Sequence, residues 1–116
     1  MTRPPYVPDR GDFIRLVLTP QAGREQSGER PVLVLSGRPF NEITGLAFVA
    51  PITSRLRGWP FEIRIPSEGR IRGAVLADQT RSLDFSARHA RYLGKAPDAV
   101  VQTVLERLAL ILEPSS

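Results

Sequence analysis

Pro31-Val32-Leu33-Val34-Leu35-Ser36 is an unbroken apolar run in which β-branched and unbranched residues alternate. It is too short for a buried helix and suits a strand covered on both faces. Gly45 leads into a second run of this kind, Leu46-Ala47-Phe48-Val49-Ala50, again read as a buried strand. Upstream, Gly11-Asp12 opens Phe13-Ile14-Arg15-Leu16-Val17-Leu18, and Pro20 closes it as another strand. Downstream, Phe61-Glu62-Ile63-Arg64-Ile65 alternates, so Phe61, Ile63 and Ile65 face inward from a half-exposed antiparallel strand. Ser67-Glu68-Gly69-Arg70 turns the chain and Gly73-Ala74-Val75-Leu76-Ala77 returns it; a short piece at 91–94 adds one more strand. Between these runs, residues 20–31 read as a mobile loop, 37–44 as a plain connection and 53–58 as a second polar loop. Pro4, Pro5 and Pro8 make the N-terminus an extended lead-in.

The period then changes. Val100, Val101, Val104, Leu105, Leu108, Ile111 and Leu112 recur at helical spacing and form one broad apolar stripe. Pro97 suits a first turn, Asp98 sits near the positive end of the helix dipole, and Pro114 stops the helix. The sum is a mainly β, α+β fold: an antiparallel β-barrel-like sheet with a C-terminal helix packed on it.

At 116 residues the chain is read as a single domain, 1–116, able to bury roughly two-thirds of its unfolded surface. There is no cysteine, which excludes disulfide frameworks, thiolate zinc sites and cysteine nucleophiles. His89 is the one histidine, so a histidine-rich metal site and two-histidine ribonuclease chemistry within one chain are excluded too, and His89 reads as structural. No apolar run reaches the ~18 residues that span a bilayer, and the start, Met1-Thr-Arg-Pro-Pro, lacks a signal-peptide core. The expectation is a cytoplasmic protein with no membrane partner. The net charge is +4, and every basic residue except Lys95 is an arginine. Guanidinium forks match phosphate, which fits a nucleic-acid partner; an arginine-rich coding bias gives the same composition.

The polar loops carry the candidate chemistry. Glu25, Glu29 and Arg30 cluster before the strand at Pro31, and Thr53, Ser54, Arg55 and Arg57 cluster after the strand ending at Ala50. If those two strands are antiparallel neighbours, Arg30 and Thr53 meet at one rim. A guanidinium, a hydroxyl and a carboxylate there can hold a phosphodiester, neutralise its developing charge and move a proton. A third cluster, Asp78-Gln79-Thr80-Arg81-Ser82-Leu83-Asp84, offers Gln79 and Arg81 for base edges or phosphates, against a turn in which Asp78 and Ser82 bond their own backbone. Trp59 reads either as a base-stacking ring or, preferred on sequence, as a half-buried hairpin anchor. Gly23 and Gly28 are not followed by Lys-Ser or Lys-Thr, so there is no P-loop, and the Arg10-Gly11-Asp12 tripeptide carries no meaning at the mouth of a strand.

Five blocks together resemble the MazF/PemK family of toxin endoribonucleases. They are Val7-Pro8-Asp9-Arg10-Gly11-Asp12, Gly23-Arg24-Glu25-Gln26-Ser27-Gly28-Glu29-Arg30-Pro31, Pro51-Ile52-Thr53-Ser54, Trp59-Pro60-Phe61-Glu62, and Val75-Leu76-Ala77-Asp78-Gln79 with Arg81-Ser82-Leu83-Asp84. They keep the family's order from about residue 6 to residue 112. The resemblance implies an SH3-like, CcdB-like barrel, a homodimer, and cofactor- and metal-independent cleavage of single-stranded RNA by its 2′-hydroxyl. The products would be 2′,3′-cyclic phosphate and 5′-hydroxyl ends. Carried over by position, Arg30 stabilises the phosphorane charge, Thr53 donates to a phosphate oxygen and Glu25 is the candidate proton acceptor. Gln26, Ser54, Arg55, Arg57, Asp78, Gln79 and Arg81 are the implied substrate-binding residues. The family also implies a cognate antitoxin whose acidic, disordered C-terminal segment competes with RNA for the same groove. The chain departs from the pattern at Ile52, where many members carry a cysteine; the change bears on packing rather than chemistry. Two rivals are a CcdB-type gyrase poison and an inactive RNA- or antitoxin-binding module. The first relies on a Trp-Gly-Ile tail where this chain ends Leu112-Glu113-Pro114-Ser115-Ser116.

Overall fold

The computed structural model describes residues 6–18 and 28–114. In chain order the elements are β1 (Asp12–Leu18), β2 (Gly28–Val34), α1 (Arg38–Thr44), β3 (Leu46–Thr53), β4 (Glu62–Arg64), β5 (Ala74–Leu76), a 3-10 turn (Ala77–Gln79), β6 (Arg81–Asp84), β7 (Arg91–Lys95) and α2 (Asp98–Leu112). The strands make one curled antiparallel sheet in the order β4-β5-β3-β2-β1-β7, with β6 also on β3. The end strands β4 and β7 are not paired to each other, so the sheet bends like a barrel without closing.

The two apolar runs are neighbours, as their reading required. β2 and β3 are antiparallel, with Val32 opposite Pro51, Leu33 opposite Ala50 and Val34 opposite Val49. Alternate side chains feed two cores on opposite faces of the sheet. Phe13, Leu33, Leu35, Ala50, Ile63, Ile65 and Val75 meet Val100 and Val104 of α2 on one face. Ile14, Leu16, Val32, Val34, Ala47, Val49, Leu83 and Phe85 form the other. That is why residues 32–35 are apolar without a break: both faces of β2 are covered.

Several expectations change. Residues 37–44 are mostly helix. Their anchor is polar: Asn41, with 0% exposure, donates through Nδ2 to the carbonyls of Pro8 (2.8 Å) and Ser36 (3.1 Å) and accepts from Ser36 Oγ (2.6 Å). An apolar-period search has nothing to find there. Gly45 closes the helix in the left-handed region at φ 76°, its N–H donating to Asn41 O. The presumed loop after Ala77 is a 3-10 turn and then a strand, and β2 begins at Gly28, inside the segment read as a loop. β3 is not buried throughout: Leu46 and Phe48 stand exposed, Phe48 beside Phe40 of α1 at 5.7 Å between ring centroids. On α2 the packed stripe ends at Leu108, and Ile111 and Leu112 are exposed. Pro97 is the residue just before that helix rather than within it.

The chain entry to β1 is held by a buried carboxylate. Asp12 accepts from Tyr6 Oη (2.5 Å), the Asp9 N–H (2.9 Å) and Lys95 Nζ (2.9 Å). Burial, then the bond to Asp12, pushes the Tyr6 hydroxyl well above the ordinary phenol range. The Arg10-Gly11-Asp12 tripeptide is thus absorbed into the fold.

Candidate active site

β3 organises the site because it changes partners along its length. Its β2 pairing runs to Pro51, which has no N–H to continue a ladder. On the other edge it pairs with β6 from Leu46 to Val49, and with β5 at Ile52 and Thr53. The 3-10 turn lies between β5 and β6 and juts Asp78 and Gln79 from the sheet edge beside Thr53. The Thr80 hydroxyl donates to the Ala77 carbonyl (2.8 Å) and secures that turn.

A cavity of about 230 Å³ opens there, lined by Thr53, Arg55, Arg57, Trp59, Glu62, Leu76, Asp78 and Gln79. Thr53 Oγ1 accepts the Arg55 N–H (3.0 Å), which fixes the hydroxyl in a turn and leaves its own proton to be donated outward. Glu62 folds the following loop back on itself. Its carboxylate accepts the Arg57 N–H at 3.1 and 3.0 Å and the Gly58 N–H at 2.9 Å. Those bonds, the Arg57 N–H foremost, hold the Glu62 carboxyl below its ordinary value. From α2, Arg107 donates to the Pro60 carbonyl and ties the corner of this loop to the helix.

Of the residues expected from sequence, Thr53, Arg55, Arg57, Asp78 and Gln79 converge on the cavity. Arg30 is exposed on β2, outside the lining. The β2–β3 ladder ends at Val32 and Pro51, so Arg30 and Thr53 each lie two residues beyond its last pair, at the same end of the two strands. Ser54 and Arg81 are exposed and outside the lining as well: Ser54 lies where the chain leaves β3, and Arg81 is fixed in the β6 ladder opposite Val49. Glu25 and Gln26 lie outside the described residues. Trp59 is no hairpin anchor; it is 58% exposed and lines the cavity. Glu62 was missed because an outward acid in an alternating strand is ordinary; its role depends on the fold-back at 57–58. His89 is exposed in a turn away from the cavity, at φ 54°.

Two other hollows, about 340 Å³ beside the 66–71 turn and about 530 Å³ between residues 9–11 and α2, hold none of the expected residues. Chemistry rather than size selects the Thr53 cavity.

Residues 9–112 match the family model described as PemK-like, MazF-like toxin of type II toxin–antitoxin system. The chain belongs to this family. It is 36% identical over 107 residues to the endoribonuclease toxin MazF of Escherichia coli K12, covering 92% of this chain and 96% of that one. With the endoribonuclease toxin ChpB of the same organism it shares 40% over 111 residues, 90% of this chain and 94% of the relative. A crystal structure of a MazE–MazF complex from Deinococcus radiodurans superposes with a TM-score of 0.89 at 47% identity, over 96% of this chain and all of that one. The curled sheet with its C-terminal helix is the MazF fold, and this chain is an endoribonuclease toxin of that family.

Proposed function

We propose that this toxin cleaves single-stranded RNA without a metal ion, by attack of a ribose 2′-hydroxyl on the adjacent phosphorus. The bond to the 5′ oxygen of the next nucleotide breaks, leaving 2′,3′-cyclic phosphate and 5′-hydroxyl ends. The observation that carries the reading is the end of β3. Thr53 sits there with a hydroxyl proton to donate, between a loop bearing Arg55 and Arg57 and a turn bearing Asp78 and Gln79. Donors fixed before the reaction stabilise developing charge without reorganising. Arg30, at the same end of β2 as Thr53 is of β3, takes the phosphorane charge and passes a proton to the leaving oxygen. Glu25 accepts the 2′-hydroxyl proton. Ser54 and Arg81 extend the groove beyond the cavity, and Gln26 binds substrate.

The partners follow from the same surface. An antitoxin with an acidic disordered segment occupies the groove in competition with RNA, as the arginines attract carboxylates and phosphates alike. Two copies form a homodimer, for which the exposed apolar side chains Phe40, Ile43, Leu46 and Phe48 offer contact surface. The protein acts in the cytoplasm; no described helix is long and apolar enough to cross a membrane.

The test is incubation of a long single-stranded RNA with purified protein in excess EDTA, with mapping of the new ends. Defined cuts bearing 2′,3′-cyclic phosphates, lost in Arg30→Ala, support the reading. Folded protein that cuts none of a varied RNA set sinks it, and gyrase inhibition then becomes the assay.

A further inference from the structure

The loop that carries Arg55 and Arg57 also carries the chain's one tryptophan. Its ring is 58% exposed, unusual for so large an apolar group, and it lines a cavity whose other walls are polar except for Leu76. Three bonds from backbone N–H groups to the Glu62 carboxylate determine the loop's path. The Trp59 carbonyl accepts the Glu62 N–H (3.1 Å) and the Pro60 carbonyl accepts from Arg107, so the residues on both sides of the ring are held. In the same lining, Asp78 presents acceptors and Gln79 both a donor and acceptors. An aromatic face that shares a cavity with an amide and a carboxylate is the chemistry that takes an unpaired nucleobase: its plane stacks and its edge bonds. At about 230 Å³ the cavity is smaller than the roughly 300 Å³ at which drug-sized pockets begin, so it accepts one base and not a run of nucleotides.

We propose that this cavity is a single-nucleobase subsite in which Trp59 is the stacking platform, with Glu62 the positioning residue that holds the platform in place. The inference rests on the RNA reading above and adds to it where one base of the substrate lies. A bound base lies flat against the indole, and its edge points at Asp78 and Gln79. Glu62 does not touch RNA; it acts by keeping the 57–58 amides folded under it.

Fluorescence excited at about 295 nm, where the two tyrosines do not absorb, reads Trp59 alone, since no other tryptophan is present. The experiment titrates the whole protein with a single-stranded RNA that it cleaves, carrying a 2′-deoxy nucleotide at the cut so that it binds without reacting. Fluorescence anisotropy of an end-labelled copy measures binding independently. Saturation is expected to quench the tryptophan emission strongly. Trp59→Ala should weaken binding roughly tenfold, and Trp59→Phe, which keeps a π face, should restore it to within about threefold. Glu62→Gln should bind several-fold more weakly and show a smaller quench at saturation, with its Tm within a few degrees of the parent. An oligonucleotide that binds by anisotropy yet leaves the emission unchanged overturns the subsite. So does Trp59→Ala that binds and cleaves as the parent does. In both cases the ribonuclease reading stands. Emission already blue-shifted and shielded from acrylamide in the free protein assigns the ring to a contact between copies and overturns the subsite too. Failure of the parent protein to bind or cut any RNA removes the RNA reading itself, and the subsite with it.

Discussion

Gly73 shows how closely one residue can be tied to the candidate site. It sits at φ +112°, and a Cβ there would lie 2.1 Å from the Thr53 carbonyl oxygen, a backbone atom that cannot swing aside. Positive φ costs an L-residue roughly 1–2 kcal/mol before any clash is counted. Gly73→Ala should therefore lower Tm by several degrees. The displaced backbone belongs to the residue that offers its hydroxyl, so kcat/KM for RNA should also fall, by up to about a hundredfold if the shift reaches 1 Å. Melting curves and initial rates below the variant's Tm separate the two losses; a stability loss with full activity would detach Gly73 from the site. Glu62 supports a prediction of a different kind. Its carboxyl is held below the ordinary value by N–H groups that favour the charged form. Its contribution to the loop is therefore complete above the ordinary carboxylate value of 4.5 and is lost as pH falls through the lower value of the folded protein. The amide resonances of Arg57 and Gly58 should move together on acidification with a midpoint below 4.5. A midpoint at or above that value would contradict the bonds described here.

Among the elements, α1 best separates what periodicity can reach from what it cannot. β2 was legible because a strand covered on both faces must be apolar throughout, β3 as an apolar run although Leu46 and Phe48 stand exposed, and α2 because its stripe follows the sheet it packs on. α1 was invisible: its inward anchor is Asn41, while Phe40 and Ile43 stand exposed. β6 was hidden likewise, since only Leu83 of its four residues is buried. In the candidate site, Thr53, Arg55, Arg57, Asp78 and Gln79 were readable as polar clusters that follow apolar strands. Glu62 was not, because its role arises from a carboxylate reaching back along the chain, and Trp59 was legible only as the less favoured of its two readings. The helix anchor can be tested directly. Asn41→Ala strips partners from Ser36 and Pro8 in a buried place, where each group left unsatisfied costs about 1–3 kcal/mol. A loss of about 2–4 kcal/mol, read by urea denaturation with an unchanged slope, is expected; a loss below about 0.5 kcal/mol would mean that α1 is held some other way.

For the molecule as a whole, the sheet separates duties. Its centre, β1, β2 and β3, is committed to two cores. Arg55, Arg57 and the polar turn at Asp78 and Gln79 gather at the end where β3 leaves β2 for β5. A formal charge of +4 on 116 residues is too small to attract RNA everywhere, so the effect depends on where the guanidiniums stand. If Arg30, Arg55 and Arg57 each neutralise one phosphate, their counterion release sets the salt dependence of binding. For single strands the slope of log K against log salt is about −0.7 per phosphate, hence about −2 for three. Arg57→Gln should reduce its magnitude by about 0.7, while Arg72→Gln, exposed but outside the cavity lining, should leave it unchanged. The measurement is anisotropy of the 2′-deoxy-blocked oligonucleotide from 50 to 300 mM salt. An acidic peptide added at low salt should displace the same oligonucleotide, and with less effect on Arg57→Gln, because carboxylates and phosphates compete for one set of forks. A slope near zero, or displacement unaffected by the arginine, would place the RNA on another face of the sheet.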